Sequence, residues 1–280
     1  MLLLRGGICF FLGGCHLVSS FGFAIVDLLD SLSAWRLWSL LGWLEIRQRY
    51  ARSKLGPLWL TISMGVMVGT LGVVYGTLFG QKLGDYLPMV AIGLVIWTLF
   101  STIVTEGSLA YISSANYIRQ VRTPRLLYML QAGWRNCVIF AHNFVIVLIV
   151  LAIFGVKSWT VLPLFVPGLA LLVLNALWMA AFVGLLSARF RDLPQIVSAL
   201  MQVAFYVTPI LFSGEMLRGK HHWIVEFNPL AYLIDVVRQP LVGIAPSEAT
   251  WAVSIGMAVA GWILSLAFTG RYHKRIPYWV

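Results

Sequence analysis

Apolar residues in this chain are gathered into long unbroken runs, separated by short polar segments rich in arginine and lysine. Neither the 3.6-residue period of a surface helix nor the alternation of a half-buried strand describes these runs. A membrane-spanning helix needs about 20 mostly apolar residues, and runs of that order are predicted at 57–80, 87–111, 126–155, 160–187, 194–212 and 250–269. The expected fold is an all-α integral membrane protein, a six-helix bundle. Pro163 and Pro167 predict an interfacial turn at the start of the fourth run. From Val26 to Arg49 the pattern becomes amphipathic: Leu28, Leu29, Leu32, Trp35, Leu40, Trp43 and Leu44 interleave with Asp27, Asp30, Arg36, Glu45 and Arg47. Such a helix lies in the headgroup plane. A buried helix of a small soluble subdomain is the weaker reading, because no second amphipathic element exists to cover its apolar face.

Composition agrees with burial in lipid. Residues are 60% hydrophobic and 11% charged, too little charge to cover a water-soluble globule. The formal charge of +10 does not signal nucleic-acid binding, since the cations sit in clusters between apolar runs. That arrangement orients membrane helices. With a cytosolic N-terminus, the inner side receives Arg36, Arg47, Arg49, Arg52, Lys54, Arg119, Arg122, Arg125, Arg189, Arg191, Arg271, Lys274 and Arg275. The outer side receives only Lys82, Lys157, Arg218, Lys220 and Arg238. A multi-pass protein with both termini cytosolic is the expectation. Cys9, Cys15 and Cys137 lie in apolar stretches without metal-ligand spacing, so they read as apolar fillers and no metal site is expected.

The expected domains are an apolar N-terminal extension over 1–25, an amphipathic interface helix over 26–54, a transmembrane domain over 55–270 and a cytosolic tail over 271–280. Arg5 followed by Ile8–Val18 resembles a short signal peptide. The glycines at 6, 7, 13 and 14 favour instead a non-cleaved, poorly ordered extension or a start codon placed too early.

Several features carry candidate chemistry. The basic stretch Arg47, Arg49, Arg52 and Lys54 feeds the first span through Pro57, where a missing N–H costs nothing at a helix start. In that span Gly65, Gly69, Gly72, Gly76 and Gly80 fall within about 80° of one helix face. This ridge suits a partner contact, a smooth conduit wall or packing within the chain. Ser113–Arg125, with Asn116, Tyr117, Arg119, Arg122 and Arg125, reads as a short polar helix stopped by Pro124, shaped to dock in an acidic groove of a soluble partner or to serve only as a positive-inside anchor.

Segment 213–247 mixes charge with aromatics and reads as re-entrant; Asn228-Pro229 starts a helix on which Asp235 and Arg238 form a minor pair. Its Gly214–Lys220 run mimics a Walker A loop but has His221 where Ser or Thr belongs, and His221-His222 point too far apart to share a metal. Glu106 is the one acid inside a predicted span, with Arg135 as its expected salt-bridge partner. His142, Asn143, Asn175 and Gln202 are expected to bond across helices. Trp59, Tyr75, Phe79, Trp97, Phe100 and Tyr206 are candidates to line a translocation path, their ring faces stacking on the apolar faces of sugars.

These motifs resemble one family: Arg49-Tyr50 through Leu55-Gly56-Pro57-Leu58-Trp59, then Asn116 through Pro124-Arg125, then Asn228-Pro229-Leu230 with Arg238. Together they are similar to the transmembrane permease subunit of type-2 ATP-binding-cassette exporters for polysaccharides, including O-antigen, capsule and teichoic acid, over about residues 26–270. The resemblance implies six helices per subunit, a homodimer with the passage between subunits, and a lipid-linked glycan as substrate. It also implies a bacterial inner-membrane location and two copies of a separate ATPase carrying ATP and magnesium, with no cofactor on this chain. By the same resemblance, 26–49 is a cytosolic gate helix, 115–124 the coupling helix seated on the ATPase, and 213–240 the outer re-entrant helices. The N-terminal extension departs from the family pattern, as does the lack of any fused carbohydrate- or nucleotide-binding domain. Export of a drug or lipid is the alternative within transport. A membrane enzyme on lipid-linked sugars lacks the acid, base or metal constellation such chemistry needs. A secondary transporter would call for inverted repeats and more intramembrane charges than Glu106.

Overall fold

A computed structural model describes residues 15–51, 56, 58–121, 123–212 and 226–280, the side chains of 15–20 excepted. In chain order the helices are α1 (Cys15–Ser33), α2 (Trp35–Tyr50), α3 (Leu58–Leu78), α4 (Leu83–Ser113), α5 (Ala115–Gln120), α6 (Leu127–Phe154), α7 (Phe165–Arg189), α8 (Leu193–Val207), α9 (Pro229–Val242), α10 (Glu248–Tyr272) and α11 (Ile276–Trp279). No strand occurs among the described residues, so the fold is all-α as expected. Of the two prolines in the fourth run, Pro163 sits in a 3₁₀ turn, Leu162–Leu164, that leads into α7, whereas Pro167 lies in the first turn of α7 itself.

Helix α4 is the axis of the bundle, packed by α3, α6, α7, α8 and α9. Ile92, Ile96, Phe100 and Ile103 are fully or almost fully buried along it. Its crossing with α7 is close because small residues meet there. A Cβ added to Gly107 would lie 2.4 Å from the Ala180 Cβ, and one on Gly184 would lie 2.7 Å from the Gly107 carbonyl oxygen. Helix α3, by contrast, is an edge, with Val66, Val73, Val74 and Leu78 exposed. Its glycine ridge serves packing within the chain in part: Gly72 and Gly76 admit Leu87 and Tyr86 of α4, and Gly65 faces Ile146 of α6. Gly69 faces open space.

The structure revises several expected boundaries. Among the described residues, five helical stretches are long and apolar enough to cross a membrane: α3, α4, α6, the 3₁₀ turn with α7, and α10. The fifth predicted span, 194–212, forms only the 15-residue α8, about 22 Å long where a bilayer core needs about 30 Å. The expected single helix over 26–54 begins as early as Cys15, inside the supposed extension, and breaks at Ala34. Ser31 and Ser33 donate to the carbonyls of Asp27 and Asp30 at 2.7 and 2.8 Å, a side-chain competition that loosens the last turn of α1. The predicted helix 115–124 shrinks to Ala115–Gln120 because Val121 is extended (φ −123°, ψ 133°) ahead of Pro124. Within 271–280, α10 runs to Tyr272, and α11 folds back with Ile276 and Val280 buried. The signal-like stretch before Cys15, along with Gly214–Lys220 and His221-His222, lies outside the described residues.

Just after α8, over residues 208–212, the backbone leaves the helix, yet Thr208 and Ile210 are fully buried. Irregular backbone survives there only if its polar groups find partners. They do: Arg238 donates to the Pro209 carbonyl at 2.6 Å, and the Tyr86 hydroxyl to the Leu211 carbonyl at 2.5 Å. Asn228 joins the same corner, capping α9 by accepting from the Leu230 N–H at 3.0 Å while its amide donates to the Thr208 hydroxyl at 3.1 Å. The second partner of Arg238 is Asp235, at 2.5 Å. At 8% exposure Arg238 is thus no minor surface pair but the pin of the broken segment. Replacing Arg238 with Met leaves Asp235 and a buried carbonyl unpaired. The expected loss is about 3 kcal/mol, read as a lowered thermal unfolding midpoint in detergent, with Arg238→Lys falling between the variant and the native chain.

Candidate functional site

Charged residues from α2, α4 and α6 converge at one end of the bundle. The same end holds Arg119 of α5, Arg189 of α7 and the α10–α11 corner, as the contacts of Arg119 with Val280 and of Arg189 with the Trp279 ring (5.7 Å) show. Glu106 projects from the last third of α4. Arg135 of α6 grips its Oε2 through two nitrogens, at 2.7 and 3.1 Å, and Asn136 donates to the same oxygen at 2.7 Å. The expected Glu106–Arg135 pair is therefore present, but it belongs to a larger node. Arg135 also pairs with Glu45 of α2, Gln131 donates to Glu45 at 2.7 Å, and Arg49 reaches Glu106 at 3.4 Å.

Local sequence explains the geometry. Glu45 and Arg49 are four apart on α2, as are Gln131 and Arg135 on α6, so each pair shares a helix face. The two helices can bring these faces together because Gly42 has no side chain: a Cβ there would lie 3.1 Å from Trp134 and 3.2 Å from the Gln131 carbonyl oxygen. The node has two carboxylates and two guanidinium groups, so it is neutral in sum, and Arg135 is the member most withdrawn from water. A cavity of about 400 Å³ opens beside it, lined by Glu45, Gln48, Arg49, Glu106, Leu109, Ser113 and Arg135. The node joins the amphipathic helix to two bundle helices by ionic contacts, beside the apolar packing of Trp38 on Trp134.

Residues singled out from the sequence are distributed unevenly around this end. Arg47 and Arg49 are exposed on the last turn of α2, whereas Arg52, Lys54 and Arg122 lie outside the described residues. On α5, Asn116 and Tyr117 face outward, Tyr117 at 61% exposure, while Ile118 is buried. Arg119 turns instead to the chain's own Val280 carbonyl, and Arg125 is tied through its backbone N–H to Asp27 of α1 at 2.9 Å. Of the candidate path aromatics, Trp59, Phe79 and Tyr206 are exposed and Tyr75 half-buried. Trp97 and Phe100 are not free to line a path: they are 6% and 1% exposed, 5.9 Å apart, packed into the core with Phe205. Glu45, Gln131, Asn136 and Asp27 escaped sequence reasoning. The one available signal was the recurrence of polar residues at positions 131, 135 and 136 inside an otherwise apolar run.

The sequence matches the ABC-2 type transporter family over residues 36–242, from the start of α2 to the end of α9. The chain belongs to that family. The matched span of this ABC-2 transporter chain contains the whole ionic node and the Asp235–Arg238 pin. The chain is also similar to two Klebsiella pneumoniae proteins named O-antigen export system permease protein RfbA. One is 25% identical over 68% of this chain and 74% of the relative, the other 24% identical over 82% and 88%. A Myxococcus xanthus protein of the same name is 25% identical over 81% of this chain and 89% of its own length.

Removing either side of the node strands a partly buried charge. Glu106→Gln and Arg135→Gln are each expected to cost about 2 to 4 kcal/mol. The double variant should cost about 1 to 3 kcal/mol less than their sum. Denaturant unfolding in micelles measures all three.

Proposed function

We propose that this chain is the membrane half of an exporter that moves a lipid-linked polysaccharide across the bacterial inner membrane, driven by a separate ATPase. The observation that carries the reading is the family match across three quarters of the chain, together with relatives named for O-antigen export over more than four fifths of this sequence. In this reading two copies of the chain assemble with two ATPase subunits. ATP and magnesium act on the partner, and this chain holds no cofactor and performs no covalent chemistry. The basic end faces the cytosol, which puts both termini there, in keeping with the crowding of arginine and lysine in those loops.

Helix α5 is the ATPase contact. Its outward face, formed by Asn116, Tyr117 and Gln120, is short and polar with one large aromatic, and suits a shallow groove. Arg119 contributes from within by holding α5 to the C-terminal segment. The amphipathic pair α1–α2 lies at the headgroup level, its exposed Leu29, Trp35, Leu40 and Trp43 in lipid, and acts as the gate. The ionic node on α2 holds that gate against the bundle. The bare apolar face of α3, with Trp59 near its start, lies towards the second copy and the passage. Sugar rings slide along exposed aromatic faces there without a deep site.

Export of a drug or another lipid is the second reading, favoured only by the apolar character of the exposed faces. Purification of the chain from native membranes in mild detergent, followed by identification of what comes with it, tests the main proposal. A co-purifying ATPase is expected, and Tyr117→Asp should lower its recovery at least tenfold while the chain still inserts. Recovery of the native chain with no ATPase would overturn the reading. A strain lacking the chain should accumulate unexported glycan, whereas a drug or lipid exporter would leave glycan export unchanged.

A further inference from the structure

Helix α6 begins without a cap of its own, because Leu126 stands at the capping position and has no side-chain acceptor. The two N–H groups just ahead of its first residue are satisfied from elsewhere. Asp27 of α1, 7% exposed, accepts from the Arg125 N–H at 2.9 and 3.0 Å and from the Leu126 N–H at 3.0 Å. A single carboxylate thus fastens the amphipathic helix to the two residues that lead into a bundle helix, nearly a hundred residues away in sequence. The fastening point lies just beyond α5 and Pro124.

The surroundings of this joint are tuned for movement. Burial lifts the Asp27 carboxyl above the ordinary aspartate range, and the two backbone N–H groups and the Arg125 charge only partly offset it. Two further donors lie within its electrostatic reach and are unused: the fully buried Tyr111 hydroxyl and one terminal nitrogen of Arg125, both without a hydrogen-bond partner. Buried donors left unpaired are uncommon and costly. Around the carboxylate they offer a second set of bonds that a shifted α1 could adopt. The connection from α5 to the joint is short and stiffened by Pro124 and by the Thr123–Tyr128 hydroxyl contact at 2.8 Å. Displacement of α5 therefore arrives at the Arg125–Leu126 backbone, where Asp27 is waiting.

We propose that Asp27 is a transmission residue, whose carboxylate passes movement of the α5 segment to the amphipathic gate helix by exchanging the Arg125 and Leu126 N–H groups for Tyr111 and the Arg125 guanidinium. It is a positioning residue and touches no substrate. The inference rests on α5 being the ATPase contact, and it adds a mechanical route that the motif for ATPase docking does not contain.

The test uses the full complex of this chain with its ATPase, reconstituted in vesicles, carrying Asp27→Asn or Asp27→Glu. Asparagine is close in size and removes the buried charge, so folding is expected to survive. For Asp27→Asn the expected result is ATPase recovery and nucleotide hydrolysis within twofold of the native complex, with export lowered at least tenfold; Asp27→Glu should recover part of it. Spin labels on exposed Leu29 of α1 and Leu109 of α4 should show a nucleotide-dependent distance change in the native complex and none in Asp27→Asn. Export at the native rate, or an unchanged distance response, overturns the role of Asp27. Equal loss of assembly, hydrolysis and export would also overturn it, making the residue a brace of the fold. A native chain that binds no ATPase would instead defeat the reading on which the inference rests, before any variant is compared.

Discussion

A carboxylate placed near the edge of a membrane must be matched, and the matching of Glu106 organises one end of this protein. Two nitrogens of Arg135 and the amide of Asn136 satisfy it from α6, while Arg49 approaches from α2. Because Arg135 is shared with Glu45, the same guanidinium that neutralises α4 also holds the amphipathic helix. Arg135 is largely withdrawn from water, so breaking its pairs strands a partly buried charge. The cavity opens beside these side chains. Neutrality of the node and the small residue at Gly42 are both conditions of this arrangement.

A second instance of the same rule occurs where α8 gives way to α9. There the liability is exposed backbone rather than a charge, and Arg238 and Tyr86 supply donors to carbonyls that a continuous helix would have satisfied by itself. The central α4–α7 crossing uses a different principle, close contact of Gly107, Ala180 and Gly184, which leaves no adjustable group. The molecule thus pairs a rigid centre, packed by small residues, with polar fastenings at its periphery. Helices α1, α2 and α5 carry such polar fastenings beside buried apolar contacts at Ala24, Ile46 and Ile118.

Much of this was legible in the sequence. Long apolar runs specify helices, and positive clusters between them specify which ends lie together. Glu106 and Arg135 stood out because charge inside such a run is rare, and Asn228-Pro229 announced a helix start that α9 realises. The misreadings have physical causes. Length alone cannot distinguish a full span from α8 followed by buried turns, since Pro209, Ile210 and Leu211 continue the apolar run in either state. The break at Ala34 depends on serine side chains competing for carbonyls, a local effect that an amphipathic pattern hides. Trp97 and Phe100 carry no sign of whether their helix is central or peripheral, and α4 is central. Asp27 resembled any polar residue of a surface helix; its meaning lies in the uncapped start of α6, which no local pattern discloses.

The central proposal is that this chain is a lipid-embedded conduit driven by a separate ATPase. Inverted membrane vesicles containing the chain and its ATPase, supplied with labelled lipid-linked glycan on the outer face, measure it directly. Glycan should become enclosed only when ATP is added, and removal of the ATPase alone should abolish the transfer. Enclosure that continues without the ATPase, or ATP hydrolysis by the isolated chain, would contradict the claim.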